Sequence, residues 1–406
     1  MRRFVHIRVW PLLIISLLAA GGAASQSKKT LPKSKRLDAG VEYRRDAESG
    51  ELRAERAPHA GKGSTERSSE ATGDAPAKIA VRVNLVEVGV HVAGADGNEV
   101  RGLGREEFRV YEDGAEQAIA YFDAASEPAH IVLVIDASPS VLREFSEMKR
   151  AARALAAKLS AADEVAVVVF AGGTYLSLPF TSDRKLLDRA IESLDVLRSD
   201  MQPRGSKVYE SVYLAAEELF GAGAAARAGR KAIVLLTDGQ DSGLDLRWDP
   251  RSAVPPRWQA TSVPGEVMDR LTFEDVCRAL AARGAEVYAV STQPRPRGMT
   301  DEWLVANRAK PLVTSEARER GWAHYTLYLA EVVRRAGGRM FFLSEIGTLA
   351  EVYRRVAENL SAQYVLGFYP AAGATKPGWR SLRVELRGRD DSRIEHRPAY
   401  YLPSSP

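Results

Sequence analysis

The stretch IVLVIDASPS, residues Ile131 to Ser140, decides the reading of this chain. Five consecutive apolar residues, four of them β-branched, run up to Asp136. A short unbroken run of this kind is the pattern of a strand covered on both faces, as in the parallel sheet of an α/β domain. Ser138 and Ser140 follow Asp136 at intervals of two. In open α/β sheets, ligands bind in the crevice beyond the carboxyl ends of the strands. Three oxygen-bearing side chains at such an end mark it as a candidate site.

The same pattern recurs along the chain. VAVVVF, AIVLLTD, EVYAVS and RMFFLS are further strand candidates, and TYLSLPF, close behind the first of these, is expected to pair antiparallel with it. Segments of helical period lie between them. Met148, Ala152, Leu155 and Leu159 share one face of MKRAARALAAKL; LLDRAIESL comes next; Val208, Val212, Ala215, Ala216 and Leu219 share a face of VYESVYLAAEELF. Thr272 with Asp275, and Thr348 with Glu351, have the spacing of capping boxes, and Gly284 suits a helix end. Leu349, Val352, Val356 and Leu360 form the apolar stripe of the last helix. Alternating strands and helices predict an α/β fold, a doubly wound, mostly parallel, Rossmann-like sheet.

The flanks read differently. From Ile79 the chain alternates with period two and turns at Asp-Gly pairs, including Asp113-Gly114, which predicts an antiparallel β module over 79–128. QYVLGFYP, SLRVELRG and AYYLP are strands again, within 362–406. Neither end has enough strands to be stable alone. The two are expected to build one antiparallel β-sandwich flanking the α/β domain of residues 129–361. Residues 1–25 have the charged, apolar and small-residue regions of a cleaved signal peptide, so an extracytoplasmic location, periplasmic or secreted, is expected. The apolar run Val9–Ala20 is too short to span a membrane, and no transmembrane helix is expected after cleavage. Residues 26–78, poor in large apolar groups, read as a disordered linker. Two stretches rich in Pro, Trp and Arg, about 241–268 and 293–323, are insertions at strand ends; Trp248, Trp258, Trp303 and Trp322 are candidate partner anchors there.

The decisive constellation joins distant segments. AIVLLTDG ends in Asp238, and GSKVYESV opens a helix with a hydroxyl at Ser206. Asp136, Ser138, Ser140, Ser206 and Asp238 would converge on one edge, an all-oxygen set suited to a hard cation such as Mg²⁺ or Mn²⁺. DASPS, GS before a helix, and TDG, in that order, resemble the metal-ion-dependent adhesion site of von Willebrand factor type A domains. The resemblance covers about residues 129–360. With the YEDG module before it and YVLGFYP after it, the chain also resembles the von Willebrand-A-related proteins of Acidobacteria. The resemblance implies that Ser138, Ser140 and Ser206 are hydroxyl ligands and that Asp136 and Asp238 hold the metal directly or through water. It implies too that an acidic side chain of a protein partner fills the open position. Two positions depart from the family pattern. Ser206 stands where threonine is usual and keeps the hydroxyl. Pro139 stands where glycine is common, fixes φ and removes an N–H.

Composition excludes other classes. The 406-residue chain carries a formal net charge of +4, with Lys and Arg dispersed, so nucleic-acid binding is not expected. Cys277 is the only cysteine, which rules out an intramolecular disulfide and a multi-cysteine zinc site; it is expected to be buried. No histidine lies in a recognisable motif, and no nucleotide-binding glycine loop or G-x-S-x-G occurs. The expectation is a non-enzymatic interaction or adhesion protein. The alternatives are an envelope-assembly subunit with a vestigial metal site or, less favoured, a hydrolase.

Overall fold

The computed structural model describes residues 31–39, 41–45, 51–56, 85–95, 99–124, 127–196, 207–221, 229–237, 239–241, 271–307, 312, 320–322, 324–346, 349–361, 364–371, 377–389 and 392–402. The signal segment, residues 57–84, the first insertion beyond Asp241 and Thr348 of the expected capping box lie outside these residues. In chain order the elements are β1 (Lys35–Arg36), β2 (Val41–Arg45), β3 (Leu52–Arg56), β4 (Val86–Ala93), β5 (Phe108–Glu112), β6 (Ala115–Gln117), β7 (Ile119–Asp123), β8 (Ala129–Asp136), α1 (Phe145–Lys158), β9 (Glu164–Phe170), β10 (Thr174–Thr181) and α2 (Arg184–Glu192). There follow α3 (Val208–Phe220), β11 (Arg230–Thr237), α4 (Phe273–Arg283), β12 (Ala285–Ser291), α5 (Asp301–Ala306), α6 (His324–Ala336), β13 (Met340–Phe342), α7 (Leu343–Ile346), α8 (Leu349–Ser361), β14 (Tyr364–Phe368), β15 (Gly378–Leu386), β16 (Arg393–His396) and β17 (Ala399–Leu402).

A seven-stranded sheet, in the order β1-β10-β9-β8-β11-β12-β13, forms the centre. Strands β9, β8, β11, β12 and β13 run parallel; β10 and β1 are antiparallel at one edge. Every residue of β8 is buried, as its unbroken apolar run requires. One face packs against α3, α4 and α6, the other against α1, α2 and α8. The expected fold class is therefore the observed one. Local signals acted as read. Thr272 accepts a hydrogen bond from the Asp275 N–H and Asp275 accepts one from the Thr272 N–H at 2.9 Å, which starts α4; Gly284, at φ +63°, ends it. Cys277 is buried within α4, and burial pushes its thiol up to about 12, which makes it a packing group with no nucleophilic character at neutral pH.

The two ends of the chain interleave. One sheet of the sandwich has the order β16-β4-β14-β7 and the other β17-β15-β5-β6, so C-terminal β14 and β15 each sit inside a sheet with N-terminal strands on one side or both. Asp113 and Gly114 both have positive φ, the backbone of the tight turn joining β5 to β6. The sandwich docks at the amino ends of the parallel strands. Arg397, buried, donates to Ala281 C=O near the end of α4 and to Glu87 C=O, and His91 shares a 2.9 Å hydrogen bond with Tyr288 in the middle of β12. Strands of the sandwich also run along α4, where Trp379 donates to Glu274 in the first turn.

Two expectations are corrected. The linker reading of 26–78 fails for the part described. β1 adds to β10 at the sheet edge, Leu37 is buried in the core against α3, and the β2–β3 hairpin lies over α3 and α4, with Arg45 bidentate on Asp275 at 2.9 and 2.7 Å. Apolar residues this sparse cannot make a core, but they can complete one that already exists. Second, Trp322 is buried in the core, meets Trp303 edge-to-face at 4.8 Å and donates to Arg297 C=O, so these two rings pack the second insertion onto the domain and are not exposed anchors. Trp248 and Trp258 lie outside the described residues. Leu37→Ala is expected to lower the unfolding free energy by about 2–5 kcal/mol, measured by denaturant unfolding. A change within about 0.5 kcal/mol, as for an unconstrained surface position, would falsify the docking.

Candidate functional site at the carboxyl edge of the sheet

β8 and β11 are neighbours in the centre of the sheet. The connection leaving β8 enters α1 on one face, and the one leaving β11 leads to α4 on the other. Outgoing chains that part in this way open a crevice between the two strand ends, the topological switch point where open α/β sheets bind ligands. Asp136 is the last residue of β8, in that crevice.

The loop after β8 is held rigidly. Ala137 N–H donates to Phe170 C=O at 2.8 Å, extending the pairing with β9 by one residue. Asp136 is buried, and its Oδ1 accepts from Ser138 N–H at 2.8 Å, which pins the carboxylate against the turn it precedes. Pro139 occupies the first position of a 3-10 turn, Pro139–Val141, with Ser138 as its N-cap. The N–H that proline lacks has no intrahelical partner at that position, and its fixed φ suits the turn. Pro139 therefore fits the loop without tilting it. Ser138 is buried, Ser140 is exposed, and their Oγ atoms lie 2.8 Å apart.

The other walls converge on the same edge. Thr237, fully buried at the end of β11, accepts from Gly239 N–H at 3.0 Å; Gly239 sits at φ +81° with Tyr325 C=O 3.2 Å from where a Cβ would be. Asp241 accepts from Tyr209 N–H at 3.0 Å in the first turn of α3, a negative charge on exposed helix donors. Lys207, just before α3, donates its N–H to Ala171 C=O at 3.1 Å beyond the end of β9. Its ammonium lies 3.7 Å from Asp38 and 2.7 Å from Glu210. Burial alone pushes the Asp38 carboxyl up, but its bond from Arg36, the Thr174 N–H and the Lys207 charge outweigh this and hold it below its ordinary value. That contribution to docking is present above the ordinary carboxylate range and lost as pH falls through the lowered value.

Of the five sequence-derived ligands, the structure places Asp136, Ser138 and Ser140 together. Ser206 and Asp238 lie outside the described residues, although Lys207, Thr237 and Gly239 beside them are on this edge. The sequence reading left out Asp241, although the run TDGQD carried a second aspartate three residues after the first. Among the described residues no group of three or more His, Cys, Asp or Glu side chains is placed to hold a metal. The donor set here is of another kind, hydroxyls around one carboxylate. Adjacent ligands of an octahedral Mg²⁺, each about 2.1 Å from the ion, are about 3 Å apart. The Ser138 and Ser140 hydroxyls share a 2.8 Å hydrogen bond, a separation that an ion's adjacent ligands could also take.

Residues 131–240 match the family model of the von Willebrand factor type A domain. That match is to a single domain and spans about a quarter of the chain. The matched span runs from Ile131, within β8, through Gln240, so it contains all five expected ligand positions. No curated protein sequence matches the chain. Among solved structures, an aerotolerance-related membrane protein from Bacteroides fragilis is similar at 16% identity, over 57% of this chain and 98% of that one, with a TM-score of 0.37. BatB from Bacteroides thetaiotaomicron is similar at 18% identity over 58% and 97%, with a TM-score of 0.36. Proximal thread matrix protein 1 from mussel byssus, with a zinc-occupied MIDAS motif, is similar at 15% identity over 61% and 49%, with a TM-score of 0.37. Among the described residues, no helix is long and apolar enough to cross a membrane.

Proposed function

We propose that this chain is an extracytoplasmic, non-enzymatic interaction protein that binds a protein partner through a Mg²⁺- or Mn²⁺-dependent site at the carboxyl edge of its von Willebrand A domain. Ser138 and Ser140 supply hydroxyl ligands, Asp136 and Asp238 supply carboxylates, and Ser206 supplies the third hydroxyl. An acidic side chain of the partner completes the shell. The observation that carries this reading is the pair of serine oxygens 2.8 Å apart beside a buried, backbone-anchored Asp136 at the switch point. The three hydroxyl ligands add no negative charge to that of the two carboxylates, so the ion keeps more of its charge than an all-carboxylate shell would leave and can take an anionic partner.

The test is capture of partner from an envelope extract by immobilised full-length chain. Capture in millimolar Mg²⁺, release by EDTA, and loss of capture in the Ser138→Ala, Ser140→Ala double variant are the expected results. Capture that survives both EDTA and the double variant would instead support an assembly subunit with a vestigial metal site.

A further inference from the structure

A second recess lies along the outer edge of β13, two strands from β11. It has a volume of about 610 Å³, within the ordinary range for ligand sites. Five consecutive residues line it, Gly338 to Phe342, which makes it a trench that follows a strand. β13 ends the sheet order: it pairs with β12 on one side, and among the described residues no strand pairs on the other. Arg339 C=O accepts from Ala289 N–H at 3.0 Å on the β12 side. By the two-residue alternation of a strand, the N–H and C=O of Met340 are directed to the open side. An open strand edge is a template for one more strand.

The walls say what kind of strand. Met340 and Phe342 pack on the α6 face and Phe341 on the α8 face, so an added strand would send its side chains alternately toward α6 and α8. Arg334 lies on the α6 side, and Arg354 and Arg355 lie on the α8 side. Six arginines and four carboxylates line the trench, and Glu331 and Glu351 pair with Arg334, Arg354 and Arg355, so what the trench offers is a row of paired guanidinium groups that can exchange partners. Asn359 adds an independent observation. It lines the trench and is buried, its amide nitrogen donates to Arg355 C=O at 2.9 Å, and its Oδ1 has no hydrogen-bond partner among the described residues. A buried acceptor without a donor is costly. Simple anions bring no donor, whereas a peptide backbone brings one with every residue.

We propose that the trench beside β13 is a second binding site, which takes an extended acidic segment of a partner protein as an added strand. Backbone hydrogen bonds to the β13 edge give affinity, and arginines on both faces select carboxylate side chains. Arg354 and Arg355 are half-exposed and paired with Glu351 and Glu358 on their own helix, so they can exchange these partners for those of an incoming strand.

The test is fluorescence anisotropy with the full-length chain and a labelled octapeptide of alternating Glu and Val. Binding is expected, and it should be unchanged by EDTA, which separates this site from the metal edge. Arg354→Glu with Arg355→Glu, both on the solvent side of α8, should weaken it about tenfold or more. The same peptide N-methylated at alternate residues keeps its charge but loses its strand hydrogen bonds, and should not bind. No binding of the unmodified peptide would overturn the proposal, whether the arginines stay with their own glutamates or another segment of this chain fills the edge. Equal binding by the methylated peptide would also overturn it, since that shows attraction without strand pairing, and equal binding to the double variant would overturn it because the arginines would then select nothing.

Discussion

Mg²⁺ at about a hundred times its dissociation constant raises the melting temperature of the wild-type chain by about 5–10 °C, and Asp136→Ala abolishes the rise. The magnitude follows from mass action. A ligand bound only by the folded state at that excess stabilises it by about 2.7 kcal/mol, and a domain of this size shifts by about 2–4 °C per kcal/mol. Asp136 is buried and accepts from Ser138 N–H, so its loss also costs stability without metal, by about 1–3 kcal/mol for the orphaned donor. The relevant reading is therefore the difference with and without Mg²⁺ within each variant. Asp136→Asn keeps the size and the acceptor and removes only the charge; it too should lose the metal response. A wild type indifferent to millimolar Mg²⁺ and Mn²⁺, or a response that persists in both variants, would remove the metal assignment. Scanning calorimetry measures either outcome.

Truncation after Ser361 is expected to destroy the sandwich and spare the α/β domain. The cut removes β14 and β15, which lie within their sheets, and with them β16 and β17. Tyr364, Leu366, Phe368, Leu382, Val384 and Tyr400 then leave one shared core. At about 1.5–3 kcal/mol for each buried side chain the loss is on the order of 10 kcal/mol, comparable with the whole stability of a domain. Tyr364 also bridges the two ends directly, accepting from Leu103 N–H at 3.1 Å and donating to Val100 C=O at 2.9 Å. Residues 86–123 should become protease-sensitive and the protein should aggregate through their apolar face. Limited proteolysis with mass spectrometry reads this directly. A monomeric truncated chain with 86–123 still protected would show that the N-terminal strands need no partner from the C-terminal end.

Much of the candidate site was legible because its signals are local. An unbroken apolar run ending in Asp-x-Ser-x-Ser states a buried strand and the chemistry at its end within ten residues. Pro139 shows how far such reading goes. As a letter it stood against the loop, and its place at the first position of a 3-10 turn, where no N–H is needed, removes the objection. Asp241 was passed over because its role is to meet the first turn of α3, 32 residues earlier in the chain. Helix α6 was missed for a related reason. HYTLYL is rich in aromatic and β-branched residues, weak helix formers, and its helix is stabilised by the core it covers.

The amino-acid order was enough for whatever depends on near neighbours: the periods of β8 and α1, the capping box and glycine of α4, the turn at Asp113-Gly114, the burial of Cys277. These rest on φ, on side-chain alternation and on hydrogen bonds a few residues long, all encoded within one segment. Folding in three dimensions was needed for what depends on surfaces brought together from afar. Leu37 entered the core and Tyr43 packed against it beside α3, Trp303 and Trp322 became packing because they met each other, and β14 entered between β4 and β7. No local pattern specifies such pairings, because the free energy that selects them comes from apolar area and backbone groups satisfied jointly by separate segments of the chain.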